Sequence, residues 1–178
     1  MRRSERVMRF LSANEQILRF LVVFVLAFAA CYFLLSISPG VKAGIIKPYT
    51  EFLAGAVAAF INLFGAAATA AGTQVSSARF TIDIATGCDG VEASSLFVAG
   101  VLAFPTRWRI RMLGLALGIP AIHAINLFRL VGLYYAGVYL PSLFEELHVY
   151  VAQTIVILLS TAILIFWLDR FATEHRRA

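Results

Sequence analysis

One cysteine, one arginine and one histidine stand out in this chain of 178 residues, because each is a reactive type at the edge of an apolar run. Cys88 lies in Thr86-Gly87-Cys88-Asp89-Gly90. Glycines on both sides let the backbone turn sharply and leave a thiol uncovered. A thiol becomes an effective nucleophile beside a cation or a helix N-terminus, and Cys88 directly precedes a predicted helix. Arg129 ends the run Asn126-Leu127-Phe128-Arg129 inside a hydrophobic segment. A charge there is costly and marks a functional position by default. Asn126, three residues earlier, shares its helix face. His148 follows Glu145-Glu146-Leu147 and opens the last apolar run; it could orient or stabilise a reacting group. Each residue also has a blander reading. Cys88 could be a packed loop thiol, Arg129 could snorkel to headgroups, and His148 could bond in the interface. Asp83, Asp89 and Glu92 lie near Cys88, and Asp89 could pair with Arg129. His123, close to Pro120, reads as a packing histidine and His175 as a solvated one.

The elements that must position these residues are membrane spans. The chain is 61% hydrophobic with a mean hydropathy of +0.85, against about 45–50% apolar residues in soluble domains. The expected fold class is an all-α polytopic membrane protein, a bundle of four to six transmembrane helices. Ile17–Ile37 is a clear span, closed by Ser38-Pro39-Gly40. Residues 41–71 are Ala- and Gly-rich, only moderately hydrophobic, and carry Lys42, Lys47, Glu51 and Asn62. Phe80, Ile82 and Ile84 alternate with Thr81 and Asp83, which predicts a short outer-face strand or hairpin before the nucleophile. Val91–Phe104, Met112–Ala136 and Val149–Leu168 are further spans, with a loop over 137–148. One transmembrane domain is expected over 17–168, between a basic cytoplasmic leader (1–16) and a basic cytoplasmic tail (169–178). The first run has no small-residue cleavage site and reads as a retained anchor.

Charge sets the expected topology. The net charge of +5 comes from clusters flanking apolar runs: the leader, Arg107 to Arg111, and the tail with Arg176 and Arg177. Such clusters stay cytoplasmic. Four full spans (17–37, 89–104, 112–136 and 149–168) satisfy all three, with 41–71 lying in or dipping into the outer interface. Arg129 follows Arg111 by 18 residues, which at 1.5 Å per residue lifts it roughly 27 Å to the outer boundary. Cys88, Arg129 and His148 then meet at one face.

Other chemistries lack their motifs. GxSxG, HExxH, P-loop and CxxC patterns are all missing, so no cofactor and no metal is expected. The basic residues do not form a face with interleaved aromatics, which argues against nucleic acid.

A Cys-x-Gly before a span, an Asn-x-x-Arg near the outer end of the next, and a His opening the one after it resemble the exosortase/archaeosortase family. The resemblance covers roughly residues 48–168 and is strongest from Ala85 to His148. Phe80–Gly90 (FTIDIATGCDG) and Ile125–Gly132 (INLFRLVG) look most like the compact exosortase H type. The resemblance implies a cysteine protease or transpeptidase of the bacterial inner membrane with a periplasmic active site. Its partners would be exported proteins ending in a sorting motif, a transmembrane helix and a basic end, together with a surface acceptor and membrane lipid. By the same resemblance Cys88 forms an acyl-thioester, Arg129 is the proton donor and His148 stabilises the transition state. A guanidinium stays protonated at ordinary pH, so Arg129 is better read as a fixed charge than as an acid. Two readings stay open beside this one. A scaffold or transporter subunit would use Arg129 and Asn126 as inter-helix glue, and a lipid thioesterase or acyltransferase would use the same thiol.

Overall fold

The computed structural model describes residues 14–172; the expected leader up to residue 13 and the tail beyond 172, including His175, lie outside them. Five helical segments and one small sheet follow in order. They are α1 (Glu15–Ile37), α2 (Pro39–Asn62), the strands β1 (Thr69–Ala71), β2 (Gln74–Ser76) and β3 (Thr81–Asp83), then α3 (Val91–Ala103), α4 (Trp108–Tyr139) and α5 (Pro141–Phe171). α1, α2, α4 and α5 are long and apolar enough to cross a membrane. The chain is an all-α polytopic membrane protein with a small antiparallel sheet.

Lipid is the solvent for most of this surface, so exposure does not follow the rules of a soluble protein. On α1 the large apolar residues Ile17, Val25, Leu26 and Phe33 are exposed, which hydrocarbon tolerates because lipid tails are as apolar as leucine. α3 is the opposite case. It was expected to be a full span over 89–104; its 13 helical residues rise about 20 Å, and with its flanking residues the segment runs from Cys88, bonded to Asn126, to Phe104, bonded to Arg111. Phe97, Ala99 and Val101 are fully buried. Its apolar residues face neighbouring helices, and Ser94, Ser95 and Gly100 let those neighbours come close. At Gly118 of α4, an added Cβ would collide with the Phe97 ring.

Residues 41–71, expected to lie in or dip into the outer interface, are helical over most of their length. Lys47 to Asn62 is regular α-helix, entered through a wider π-type turn over Lys42–Ile46. Length and composition would let α2 cross. Its packing is confined to the Cys88 half of the molecule: Leu53, Ala54, Val57, Ala58 and Ile61 share a core with Val75, Ile82, Ile84, Leu130 and Tyr134. A second core joins α3, α4 and α5 around Phe97, Ile110, Ile122, Val156 and Trp167, without α2.

The strand expected around 80–84 is present as β3, and it completes a sheet ordered β1-β2-β3. Val75 pairs with Ile82, and both are buried while their strand neighbours face outward. Asn62 closes the turn from α2 into β1. It donates Nδ2 to the Ala68 carbonyl (2.9 Å) and accepts the Ala68 N–H (2.6 Å). The loop expected over 137–148 shrinks to a break at Leu140, because Pro141 can start a helix at once.

Candidate active site

The loop 84–90 hands the chain from β3 to α3 and carries Cys88 at its tip. Gly87 (φ 92°) and Gly90 (φ 80°) both occupy the left-handed region, which glycine enters without a Cβ penalty. Between them the Cys88 N–H donates to the Ala85 carbonyl at 3.0 Å. Asp89 then turns back over the start of α3, its Oδ1 accepting the Val91 N–H at 3.0 Å. Burial pushes the Asp89 carboxyl above its ordinary value, and the Val91 N–H partly opposes that shift. Asp89 does not take Arg129 as a partner: no ion pair joins them among the described residues. Both cysteines, Cys31 and Cys88, are free thiols.

α4 brings two of the expected residues to this loop. Asn126 is fully buried. It donates Nδ2 to the Cys88 carbonyl at 2.9 Å and accepts Arg129 Nη1 on Oδ1 at 3.2 Å. An added Cβ on Gly90 would lie 3.2 Å from the Asn126 side chain, so glycine there also makes room for the amide. Arg129 reaches back with its other arm, and Nη2 donates to Cys88 Sγ at 3.8 Å. The fork of one guanidinium thus holds the amide and the sulfur together.

α5 supplies the third. His148 is the eighth residue of α5, in its third turn rather than at its opening, inside a π-type turn over Leu147–Ala152. Single π-turns inside helices commonly accompany functional sites. The imidazole stacks on Phe144 (centroids 5.6 Å apart, 29°). Its Nε2 lies 2.9 Å from Cys88 Sγ, close enough for a proton to pass. All four residues expected to form the site are therefore together.

The structure adds residues that the chain does not advertise. Tyr49 of α2 donates its hydroxyl to the Asp89 carbonyl (3.3 Å) and lies 2.6 Å from His123 Nδ1. Ser94 Oγ is 3.3 Å from His123 Nε2. One placement of protons satisfies all three contacts. Ser94 donates to Nε2, Nδ1–H donates to the Tyr49 oxygen, and the Tyr49 hydroxyl donates to the Asp89 carbonyl. His123 is thus a satisfied packing histidine that also steers Tyr49. The carbonyls of Cys88 and Asp89 are each clamped, by Asn126 from α4 and by Tyr49 from α2. Tyr49 is 40 residues from Asp89, and no local pattern marks it.

Chemically, the arrangement is a thiol with a proton acceptor at hydrogen-bond distance, a fixed cation beside it, and two carbonyl clamps on its loop. Such an arrangement can support nucleophilic catalysis. Comparison with known proteins bears on the family. The family model described as transmembrane exosortase (Exosortase_EpsH) matches residues 17–168. No curated protein and no solved structure matches. The match runs from the first span to the last and takes in Cys88, Asn126, Arg129 and His148, so the chain belongs to the transmembrane exosortase family.

Proposed function

We propose that this exosortase-family protein is a membrane-embedded cysteine protease or transpeptidase. It cleaves the C-terminal sorting tail of exported proteins and passes the new carboxyl end to a surface acceptor. The observation that carries the reading is the 2.9 Å approach of His148 Nε2 to Cys88 Sγ with Arg129 at 3.8 Å. Sγ attacks the carbonyl carbon of the scissile peptide, and its proton goes to His148 Nε2. The carbonyl oxygen gains the negative charge, which the Arg129 guanidinium stabilises. The C–N bond then breaks, the leaving amine takes the proton back from His148, and a thioester remains on Cys88. Attack by an acceptor nucleophile or by water releases the product. Family resemblance makes Arg129 the proton donor. The geometry favours His148 for that role and leaves Arg129 as the fixed charge.

The substrate's own helix lying beside the enzyme's spans would supply proximity and orientation. Its basic end stays cytoplasmic by the rule that keeps Arg107 to Arg111 there. The site then lies at the periplasmic face of a bacterial inner membrane. The central test is Cys88→Ala. The tailed substrate is expected to stay full-length in the membrane while the variant enzyme accumulates; normal processing by that variant ends the proposal. The face is tested separately. A reporter active only in the cytoplasm, fused after Ser142, is expected to be silent.

A further inference from the structure

A groove of about 230 Å³ runs between α4 and α5 and ends against Arg129. Gly132 and Ala136 form one wall; Leu147, Val151 and Ile155 form the other. Its lining is apolar except at the Arg129 end. There Arg129 Nε is buried and has no hydrogen-bond partner among the described residues. Arg129 lines the groove and donates to Cys88 Sγ at 3.8 Å, so this end of the groove stands beside the thiol. The wall opposite α5 is low because position 132 is glycine. A Cβ there would meet nothing within 4 Å, although the Gly132 backbone is ordinary helix that any residue adopts.

We propose that this groove takes an apolar side chain of the bound peptide, one next to the bond that Cys88 attacks, and that Gly132 keeps the groove open for it. This rests on the reading of Cys88 as the nucleophile. The chemistry of the lining names the class of occupant: an apolar chain gains by leaving water or headgroups for this surface, whereas a charged one would lose its hydration. The volume suits one branched or aromatic side chain. A main-chain carbonyl of the same residue would satisfy the unpartnered N–H of Arg129. Where the groove lacks its occupant, discrimination is lost; one methylene in such a pocket changes selectivity roughly 10- to 200-fold.

The test uses thiol reagents and needs no sorting substrate. Membranes carrying the full chain with Cys31→Ser leave Cys88 as the one thiol. Methyl methanethiosulfonate and benzyl methanethiosulfonate form the same mixed disulfide bond at Sγ, each releasing methanesulfinate, and differ only in the apolar group delivered. The benzyl reagent is expected to react faster relative to the methyl one, and Gly132→Leu is expected to cut that ratio by roughly tenfold or more. Ala136→Leu, one turn further along the same wall, is expected to do the same, which separates filling the groove from a misfolded variant. An unchanged ratio in both variants, with Cys88 still reactive, overturns the groove alone. A Cys88 that neither reagent modifies overturns the nucleophile reading, and the groove falls with it.

Discussion

Asn126→Ala tests whether the nucleophile loop is held from α4. The side chain is fully buried and makes two bonds, to the Cys88 carbonyl at 2.9 Å and from Arg129 Nη1 at 3.2 Å. Removing it leaves the Cys88 carbonyl without its donor, a loss of about 1–3 kcal/mol. The bond to the half-buried guanidinium adds roughly 1 kcal/mol, less than a fully buried charged pair because solvent reaches Arg129. The sum is about 2–4 kcal/mol, or a fall on the order of 10 °C in the unfolding midpoint of the detergent-solubilised protein. Turnover is expected to fall further than stability suggests, by about 10²-fold, because an ångström of misplacement at a reacting atom has that effect. Asn126→Asp separates the two bonds. It keeps an oxygen for Arg129 but turns an acceptor toward the Cys88 carbonyl. If the loop clamp matters, both variants are slow; if orienting Arg129 is the whole role, Asp stays near the original rate. Cleavage of a tailed substrate in proteoliposomes, measured as kcat and KM separately, reads this out. Normal kcat and an unchanged midpoint in both variants would refute the clamp.

Arg129→Lys is expected to lower kcat by about 10²–10³-fold, the range for losing one oxyanion-stabilising donor, because a single ammonium cannot hold the Asn126 oxygen and face Sγ together; activity within a few-fold of the original would show that charge alone suffices. Asp89→Asn keeps the oxygen that accepts the Val91 N–H and removes the buried charge. Burial raises the native Asp89 pKa above its ordinary 3.8, so its stabilising contribution is present at lower pH and is lost as pH rises through the native value. The gain in unfolding midpoint from the variant is therefore expected to grow as pH is raised from about 4; a pH-independent difference would contradict this.

How much of the site was legible follows from what each residue does. Cys88, Arg129 and His148 were readable because each is a costly or reactive type beside an apolar run. The glycines at 87 and 90 were readable as a turn, and both do adopt positive φ. Tyr49 was not, since its role depends on α2 crossing behind the loop, and a tyrosine near an apolar run has many ordinary uses. The sheet was half legible. β3 alternates in polarity, but β1 is Thr69-Ala70-Ala71, all exposed, and becomes a strand only because β2 pairs with it. α2 was hard to place because its alanines and glycines score low in hydropathy while packing well against α4 and the sheet.

The opening residues carry the same division. Sequence alone determined that this is a membrane protein and which segments are apolar, because hydrophobic length acts locally and adds along the chain. Only the tertiary structure decided that His148 is the group nearest Sγ, that Asn126 and Tyr49 hold successive carbonyls, and that Asp89 turns away from Arg129. Those outcomes depend on how helices distant in the chain pack, and a difference of an ångström in that packing separates a hydrogen-bonded neighbour from a bystander.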